Sequence, residues 1–185
     1  MIRQAIPIDA PSVIPLMLEA IGSIAFILTG VQEEEEATRI LSRFFRQEGN
    51  RVSHQNTLVF EDAGQVVGLV VTYDGANARE LDKPLEAAAA EKSANPDYRI
   101  PTEPDESEFY LDTVSVNSSC RRKGYGTKLI EAACRRGRER GHQRIALLVE
   151  VDHKAAIRLY QRLGFKTDRV KRIGAEDYLY MMRGL

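Results

Sequence analysis

A short loop at residues 121–127 combines residue types that bind phosphate. It holds three cations, two glycines, an aromatic residue and a threonine: Arg121, Arg122, Lys123, Gly124, Tyr125, Gly126 and Thr127. An alternating apolar run precedes the loop at residues 109–116, and residues 128–134 follow it with the pattern of a helix. Glycines at such a junction let backbone N–H groups turn toward an anion at the helix start, where the helix dipole favours negative charge. The loop is therefore predicted to bind the phosphate groups of a ligand.

The spacing of the glycines excludes two common phosphate motifs. A P-loop needs Gly-x-x-x-x-Gly-Lys-Ser/Thr, and a dinucleotide site needs Gly-x-Gly-x-x-Gly early in a βαβ unit. Here Gly124-x-Gly126 is followed by Leu129, about two-thirds of the way along the chain. The alternative is a plain strand-to-helix turn with a solvated basic cap.

A second segment lies further along the chain. Residues 144–151 form a near-continuous apolar run, typical of a strand buried on both faces. A helical pattern follows and ends at Gly164, which fits the position just after a helix C-terminus. Together the two segments resemble the GNAT superfamily of N-acetyltransferases. Arg121-x-x-Gly124-x-Gly126 is similar to the family's acetyl-CoA pyrophosphate loop, and residues 156–165 are similar to its Ala-Ile-x-Leu-Tyr-x-x-x-Gly-Phe signature.

The resemblance implies an α/β (α+β) fold, with a mixed, mostly antiparallel sheet of about seven strands flanked by helices. In this fold the fourth and fifth strands, here near residues 108–116 and 144–151, splay apart and admit the pantetheine arm of acetyl-CoA. The backbone of Val114 is then expected to donate to the thioester oxygen, where negative charge builds during attack. Ser115 and Val116 would pair with the arm like an added strand. Both valines are equally compatible with ordinary strand core.

Three further positions are candidates for proton transfer. By resemblance, Tyr160 supplies a proton or a hydrogen bond to the departing thiolate; otherwise it is a helix residue packed under the sheet. A protonated amine must lose a proton, and Asp112 is the first candidate base because a charge inside an apolar strand is costly without a purpose. Glu150 is the second candidate and Tyr110 the third, and water alone is the alternative. Asp112 could equally be held by a neighbouring group.

One position departs from the family pattern. Many relatives have Asn three residues before the Ala-Ile pair of the signature helix, whereas this chain has His153 in a shortened connection. His153 either replaces the amide as a donor or is an exposed residue at the helix start.

Length and composition predict a single domain over residues 1–185. Net charge is −1 and the sequence pI is about 6.3, which gives no basic field for nucleic acid. No stretch approaches the ~18 apolar residues that span a bilayer. Cys120 and Cys134 are the only cysteines and have no metal-ligand spacing. We therefore expect a cytoplasmic, metal-free protein.

The remaining pattern predicts the other elements. Residues 2–5 form a first strand, Asp9 caps a helix through Ala20, and a second helix runs from Glu33 to about Phe45. A hairpin turns at residues 62–65. Residues 75–107 are expected to be an irregular insert or lid between the third and fourth strands, with a short helix at residues 87–90. The strand at residues 178–182 pairs either within the chain or between two chains, which leaves a homodimer open.

The function predicted from this resemblance is transfer of an acetyl group from acetyl-CoA to a primary amine by direct attack in a ternary complex. A small-molecule acceptor is the first expectation, and a protein N-terminus or a lysine side chain is the second. Two other classes stay open. One is a non-catalytic CoA-binding regulatory module, and the other is a nucleic-acid-binding domain that uses the cations at residues 121–123 and 135–140.

Overall fold

The computed structural model describes residues 1–185 as one seven-stranded sheet with helices on both faces. The strands are β1 (Ile2–Gln4), β2 (Thr57–Asp62), β3 (Gln65–Asp74), β4 (Phe109–Val116), β5 (Arg144–Glu150), β6 (Lys166–Ile173) and β7 (Glu176–Gly184). The helices are α1 (Ala10–Ile21), α2 (Ile24–Thr29), α3 (Glu34–Arg46), α4 (Ala78–Ser93), α5 (Tyr125–Glu139) and α6 (Lys154–Arg162). No helix is both long and apolar enough to cross a membrane.

The sheet is mixed and mostly antiparallel, with the spatial order β1-β2-β3-β4-β5-β7-β6. Only β4 and β5 run parallel, and their pairing covers residues 109–111 and 145–147 alone. Beyond the pair Leu111–Leu147 the two strands have no register with each other. The fold class predicted from the sequence and the splayed fourth and fifth strands are therefore confirmed. Strand β7 pairs within the chain, between β5 and β6.

A bulge interrupts β4 where the strands begin to separate. Thr113 pairs with Val71 and Leu111 pairs with Thr72, so Asp112 is an extra residue with no partner on β3. An extra residue bends a strand and redirects its side chains. The bulge places Asp112 on the same face as the adjacent Thr113, whose hydroxyl donates to its carboxylate at 2.7 Å.

The helices cover the two faces of the sheet and form two cores. Helices α1 to α4 pack on one face around Phe45, Leu69 and Tyr110. Helices α5 and α6 pack on the other face around Leu111 and Ile130. Helix α3 illustrates why these segments are helical, since its acids stand in the first turn, its arginines in the last, and its buried residues recur at helical spacing. The gap where β4 and β5 separate connects the two faces of the sheet.

The predicted hairpin, the second helix and the N-cap position of Asp9 are confirmed, while the prediction of an irregular insert is wrong. In the hairpin, Ala63 and Gly64 both have positive φ, as a tight two-residue turn requires. Asp9 does precede α1, but its side chain caps nothing there. Its carboxylate instead accepts two hydrogen bonds from the Arg3 guanidinium, at 2.8 and 2.9 Å, and one from the backbone N–H of Ile6 at 2.8 Å.

The segment between β3 and β4 is more regular than predicted. Half of it is the sixteen-residue helix α4, not an irregular path with a short helix at residues 87–90. Pro84 within the helix hides the pattern, yet Ala78, Leu85 and Ala89 recur on one buried face. The short helix α2 is also absent from the sequence prediction, because six residues carry too little periodicity to detect.

Candidate active site

A cavity of about 860 Å³ follows the opening between β4 and β5. It collects nearly all of the predicted site residues: Asp112, Val114, Ser115, Val116, Arg121, Arg122, Gly124, Tyr125, Gly126, Thr127, Glu150 and Tyr160. His153 also lines it. Lys123 is not part of the lining, and its ammonium group stands 5.9 Å from the centroid of the Tyr125 ring. Residues scattered over fifty positions of the sequence therefore share one space.

The predicted phosphate loop has the geometry of an anion cradle. Gly124 precedes α5 with φ of 79°, and Arg122 adopts φ of 64°, a conformation that side chains rarely accept. The backbone N–H groups of residues 122–127 donate to no acceptor in the protein. Six unsatisfied donors at the start of a fifteen-residue helix form the kind of site that binds a diphosphate.

The side chains of the loop are fixed by the neighbouring elements. The Arg121 Nε atom donates to the carbonyl oxygen of Val116 at 3.3 Å, and its guanidinium pairs with Glu19 of α1. The Tyr125 ring stacks on Phe60 with centroids 4.1 Å apart. Its hydroxyl donates to Asp62 at 2.7 Å, and this bond raises the pKa of Tyr125.

The exposed edge of β4 offers two backbone donors to the cavity. The N–H of Asn117 donates to Val67 of β3 at 2.8 Å. Because backbone groups alternate between the two edges of a strand, Ser115 and Thr113 also face β3, whereas Val114 and Val116 face the opening. The hydrogen bond from Arg121 to the Val116 carbonyl agrees with this alternation. The N–H of Val114 therefore faces the opening between β4 and β5.

Tyr160 lies under this edge in α6. Its side chain is buried against Phe165, with ring centroids 5.8 Å apart, and its hydroxyl forms no hydrogen bond within the protein. Burial raises the pKa of Tyr160 to about 12. A buried phenol without a partner in the protein stays neutral and can donate to a ligand in the cavity.

Asp112 belongs to a buried ionic cluster around Arg51, which precedes β2. The Arg51 Nε and Nη2 atoms donate to Asp112 at 3.2 and 2.5 Å. Nη2 also donates to Glu103 at 2.6 Å, and Nη1 reaches Asp82 of α4 at 3.4 Å. The Tyr73 hydroxyl donates to Asp112 at 2.7 Å. Four segments that are distant in the sequence therefore meet at one guanidinium.

Burial also changes the protonation of this cluster. The pKa of Asp82 rises to about 6, chiefly because burial penalises its charge, although Arg51 opposes the rise. The Tyr110 hydroxyl donates to Glu103 at 2.8 Å, and burial raises the pKa of Tyr110 well above its ordinary value. Tyr110 is therefore a neutral donor to Glu103 and lies outside the cavity lining, unlike the other two candidate bases.

Comparison with known proteins places this arrangement in a family. The sequence profile described as "Acetyltransferase (GNAT) family" matches residues 23–165. The chain belongs to the GNAT family of acetyltransferases. A solved structure described as an acetyltransferase is 31% identical and superposes with a TM-score of 0.81, covering 100% of this chain and 98% of the other. GNAT membership makes the protein an acyltransferase enzyme.

Two further relatives extend the comparison. An N-acetyltransferase from Staphylococcus aureus Mu50 is 22% identical with a TM-score of 0.83, covers 98% of this chain and 99% of its own, and is similar in fold. N-alpha-acetyltransferase 30 of Schizosaccharomyces pombe (strain 972 / ATCC 24843) is 37% identical over 75 residues. That alignment covers 40% of this chain and 46% of the yeast protein, so it spans less than half of the relative.

The sequence analysis did not predict that several other residues line the cavity. The end of the cavity away from the phosphate loop is lined by Glu103 and Tyr178, together with apolar residues to which the sequence analysis gave no role in the site: Ile21, Ile24, Leu148 and Ile173. Arg51 was missed as well. A lone arginine in a polar connection carries no signal, since only the fold shows that its side chain is 3% exposed and surrounded by acids.

The segment after α4, residues 94–108, is attached to the C-terminal strands beside the same end of the cavity. Arg169 of β6 donates to both carboxylate oxygens of Asp105 at 2.9 Å. Lys171 donates to the backbone oxygen of Glu103 at 2.7 Å. These bonds hold Glu103 in the cavity wall.

Proposed function

We propose that this GNAT protein transfers the acetyl group of acetyl-CoA to a small-molecule primary amine by direct attack in a ternary complex. One observation carries the proposal. The phosphate loop, whose N–H groups at residues 122–127 have no acceptor in the protein, the free edge of β4 at Val114 and the side chains of Tyr160 and Asp112 all border one cavity. Phosphate binding, oxyanion stabilisation and proton handling therefore have donors and acceptors in a single space.

The chain's first task is to bind and orient the donor. Residues 122–127 donate to the pyrophosphate, and the cations Arg121 and Arg122 add attraction for its charge. The N–H of Val116 pairs with the pantetheine arm, which takes the place that β5 leaves vacant beside β4. Backbone pairing fixes the arm along its length and points the thioester toward Val114.

The second task is to stabilise the reaction. Acetyl-CoA supplies a thioester whose carbonyl carbon forms a bond to the amine nitrogen as its bond to sulfur breaks. The N–H of Val114 donates to the carbonyl oxygen as negative charge builds there. Tyr160 hydrogen-bonds the departing sulfur. Because its pKa is raised to about 12, it acts as a hydrogen-bond donor and the thiolate takes its proton from solvent.

The third task is to remove a proton from the amine. Asp112 lines the cavity with its Oδ2 atom held by Arg51 and Tyr73, and its Oδ1 atom accepts only from Thr113. Oδ1 has a further lone pair with which to accept the amine proton, directly or through a water. Glu150 is the second candidate, at the open end of β5.

A small acceptor is supported by the walls at the far end of the cavity. The α1–α2 turn, the attached segment 94–108 and the strands β5 to β7 all contribute walls there. A peptide N-terminus is the second candidate, because the chain is 37% identical over 75 residues to a protein named N-alpha-acetyltransferase 30.

The test is thiol release from acetyl-CoA in the presence of alkyl amines, polyamines, amino acids and N-terminal peptides, with product masses. Acetylated amines of small size support the proposal, and turnover of peptides alone would replace it by the second candidate. Tight CoA binding without turnover of any acceptor would favour the non-catalytic regulatory module.

A further inference from the structure

The charges that line the cavity are separated between its two ends. Its cations stand on the phosphate loop and on α6, at Arg121, Arg122 and Arg162, and the one acid beside them, Glu19, is paired with Arg121. The acceptor end, between the α1–α2 turn and β6, is lined by the carboxylates of Glu103, Asp112 and Glu150 together with apolar side chains. No lysine or arginine from β4, β5 or segment 94–108 lines this end.

The two cations beside the acceptor end are already engaged. Every nitrogen of the Arg51 guanidinium donates to a carboxylate, and its side chain is 3% exposed. Lys171 donates to the backbone of Glu103, and its ammonium stands 5.9 Å from the Tyr180 ring centroid. Neither residue lines the cavity. Neither is available to pair with a carboxylate on a bound molecule.

The carboxylates outnumber these cations. Arg51 faces Asp82, Glu103 and Asp112, while Glu150 lines the cavity and forms no ion pair. An anionic group brought into this end meets like charge and no cation in the cavity lining, whereas a cation is attracted. The following inference rests on the proposed function. We propose that the acceptor is an aliphatic amine that carries no carboxylate, and that a second positive charge on this amine improves turnover.

The test is a matched series of four-carbon amines that differ only in the far group: 1,4-diaminobutane, 1-aminobutane and 4-aminobutanoate. Alaninamide and alanine form a second pair. Thiol release from acetyl-CoA gives kcat/KM for each at equal ionic strength. We expect each carboxylate compound to be at least about tenfold poorer than its partner, and the diamine to be the best of the series, because one charge contact of this kind changes binding by that order.

The outcomes separate this inference from the proposed function. Turnover in the expected order supports both. Turnover in which 4-aminobutanoate or alanine equals or exceeds its partner overturns the charge inference and leaves acetyl transfer standing. Absence of turnover with every amine, peptides included, overturns the proposed function and this inference with it.

A pair of variants tests whether the named carboxylates cause the discrimination. Glu150→Gln removes an exposed carboxylate at the end of β5 that lines the cavity, and it should lower the preference for the diamine over 4-aminobutanoate at least about threefold. A folded Glu103→Gln variant should lower the same preference. Glu106→Gln is the matched control, since Glu106 is exposed in the same segment and outside the cavity. An unchanged preference in Glu150→Gln, or an equal change in Glu106→Gln, would contradict the assignment.

Discussion

Arg51 holds one carboxylate oxygen of Asp112 through two of its nitrogens, at 3.2 and 2.5 Å, at the bulge where β4 leaves β5. The other oxygen faces Thr113. A carboxylate fixed on one side and available on the other has a defined direction, which is what a proton acceptor for an incoming amine needs. The same contact explains how a charge is tolerated inside an apolar strand.

Replacing this carboxylate tests its role in catalysis. We expect Asp112→Asn to lower kcat by at least about 100-fold, because a general base contributes a factor of that size. The matched control is Asp97→Asn, an exposed residue outside the cavity, which should leave kcat unchanged. A loss of less than about tenfold in a folded Asp112→Asn variant would indicate that water or Glu150 takes the proton.

The role of Tyr160 can be tested without breaking a hydrogen bond inside the protein, because its hydroxyl has no partner there. Tyr160→Phe should lower kcat by about tenfold to 100-fold and leave the unfolding temperature unchanged, since no internal hydrogen bond is lost. The pH profile of kcat should also show no limb from Tyr160 below about pH 10, because burial keeps the phenol neutral. An alkaline limb that disappears in Tyr160→Phe would contradict this role.

The phosphate cradle can be tested with two glycines in the same backbone conformation. Gly124 and Gly141 precede and follow α5, have φ of 79° and 85°, and have open space where a side chain would stand. Glu at either position should strain the backbone by a similar amount, about 1–2 kcal/mol. Only Gly124→Glu adds charge among the N–H groups of residues 122–127, so it alone should weaken acetyl-CoA binding, by at least about 100-fold. Equal affinities in calorimetry of the two variants would rule out this cradle.

The pKa of Asp82 predicts a specific dependence of stability on pH. Because the pKa in the folded protein is raised from 3.8 to about 6, the folded state binds this proton more tightly than the unfolded chain. The resulting stabilisation is full below the unfolded value and is lost as the pH rises through about 6. The free energy of unfolding of wild type minus that of Asp82→Asn should therefore fall by up to about 3 kcal/mol between about pH 4 and pH 7. Parallel denaturation curves across this range would contradict the raised pKa.

Attachment of segment 94–108 also depends on one glycine. A Cβ at Gly75 would lie 2.1 Å from the backbone oxygen of Asp105 and 2.8 Å from that of Glu108. Gly75→Ala should destabilise the protein by at least about 2 kcal/mol in chemical denaturation, as overpacking does. Gly184→Ala, which meets nothing within 4 Å, should be neutral within about 0.5 kcal/mol. Equal stabilities would show that the segment moves aside freely.

The prediction of a cofactor end rests on local pattern. Gly124 and Gly126 stand at a strand-to-helix junction, and residues that are adjacent in sequence form the cradle. Tyr160 was located for the same reason, since its helix follows a recognisable buried strand. The order of the strands then brings these two local motifs to one opening.

The acceptor end was predicted poorly because long-range contacts build it. Arg51, Asp82 and Glu103 come from three separate connections and helices, and nothing in their spacing indicates that they meet. Asp112 was selected as a charge in an apolar strand, but the bulge that redirects it follows from the register with β3. Helix α4 was missed because Pro84 interrupts a pattern that tertiary packing sustains.

The most direct test of the account is thiol release from acetyl-CoA by the wild-type protein, Gly124→Glu and Gly141→Glu, with the amine panel and mass analysis of the product. We predict acetylated amine with wild type and with Gly141→Glu, and none with Gly124→Glu. Wild-type protein that neither binds acetyl-CoA nor acetylates any amine would contradict the central claim.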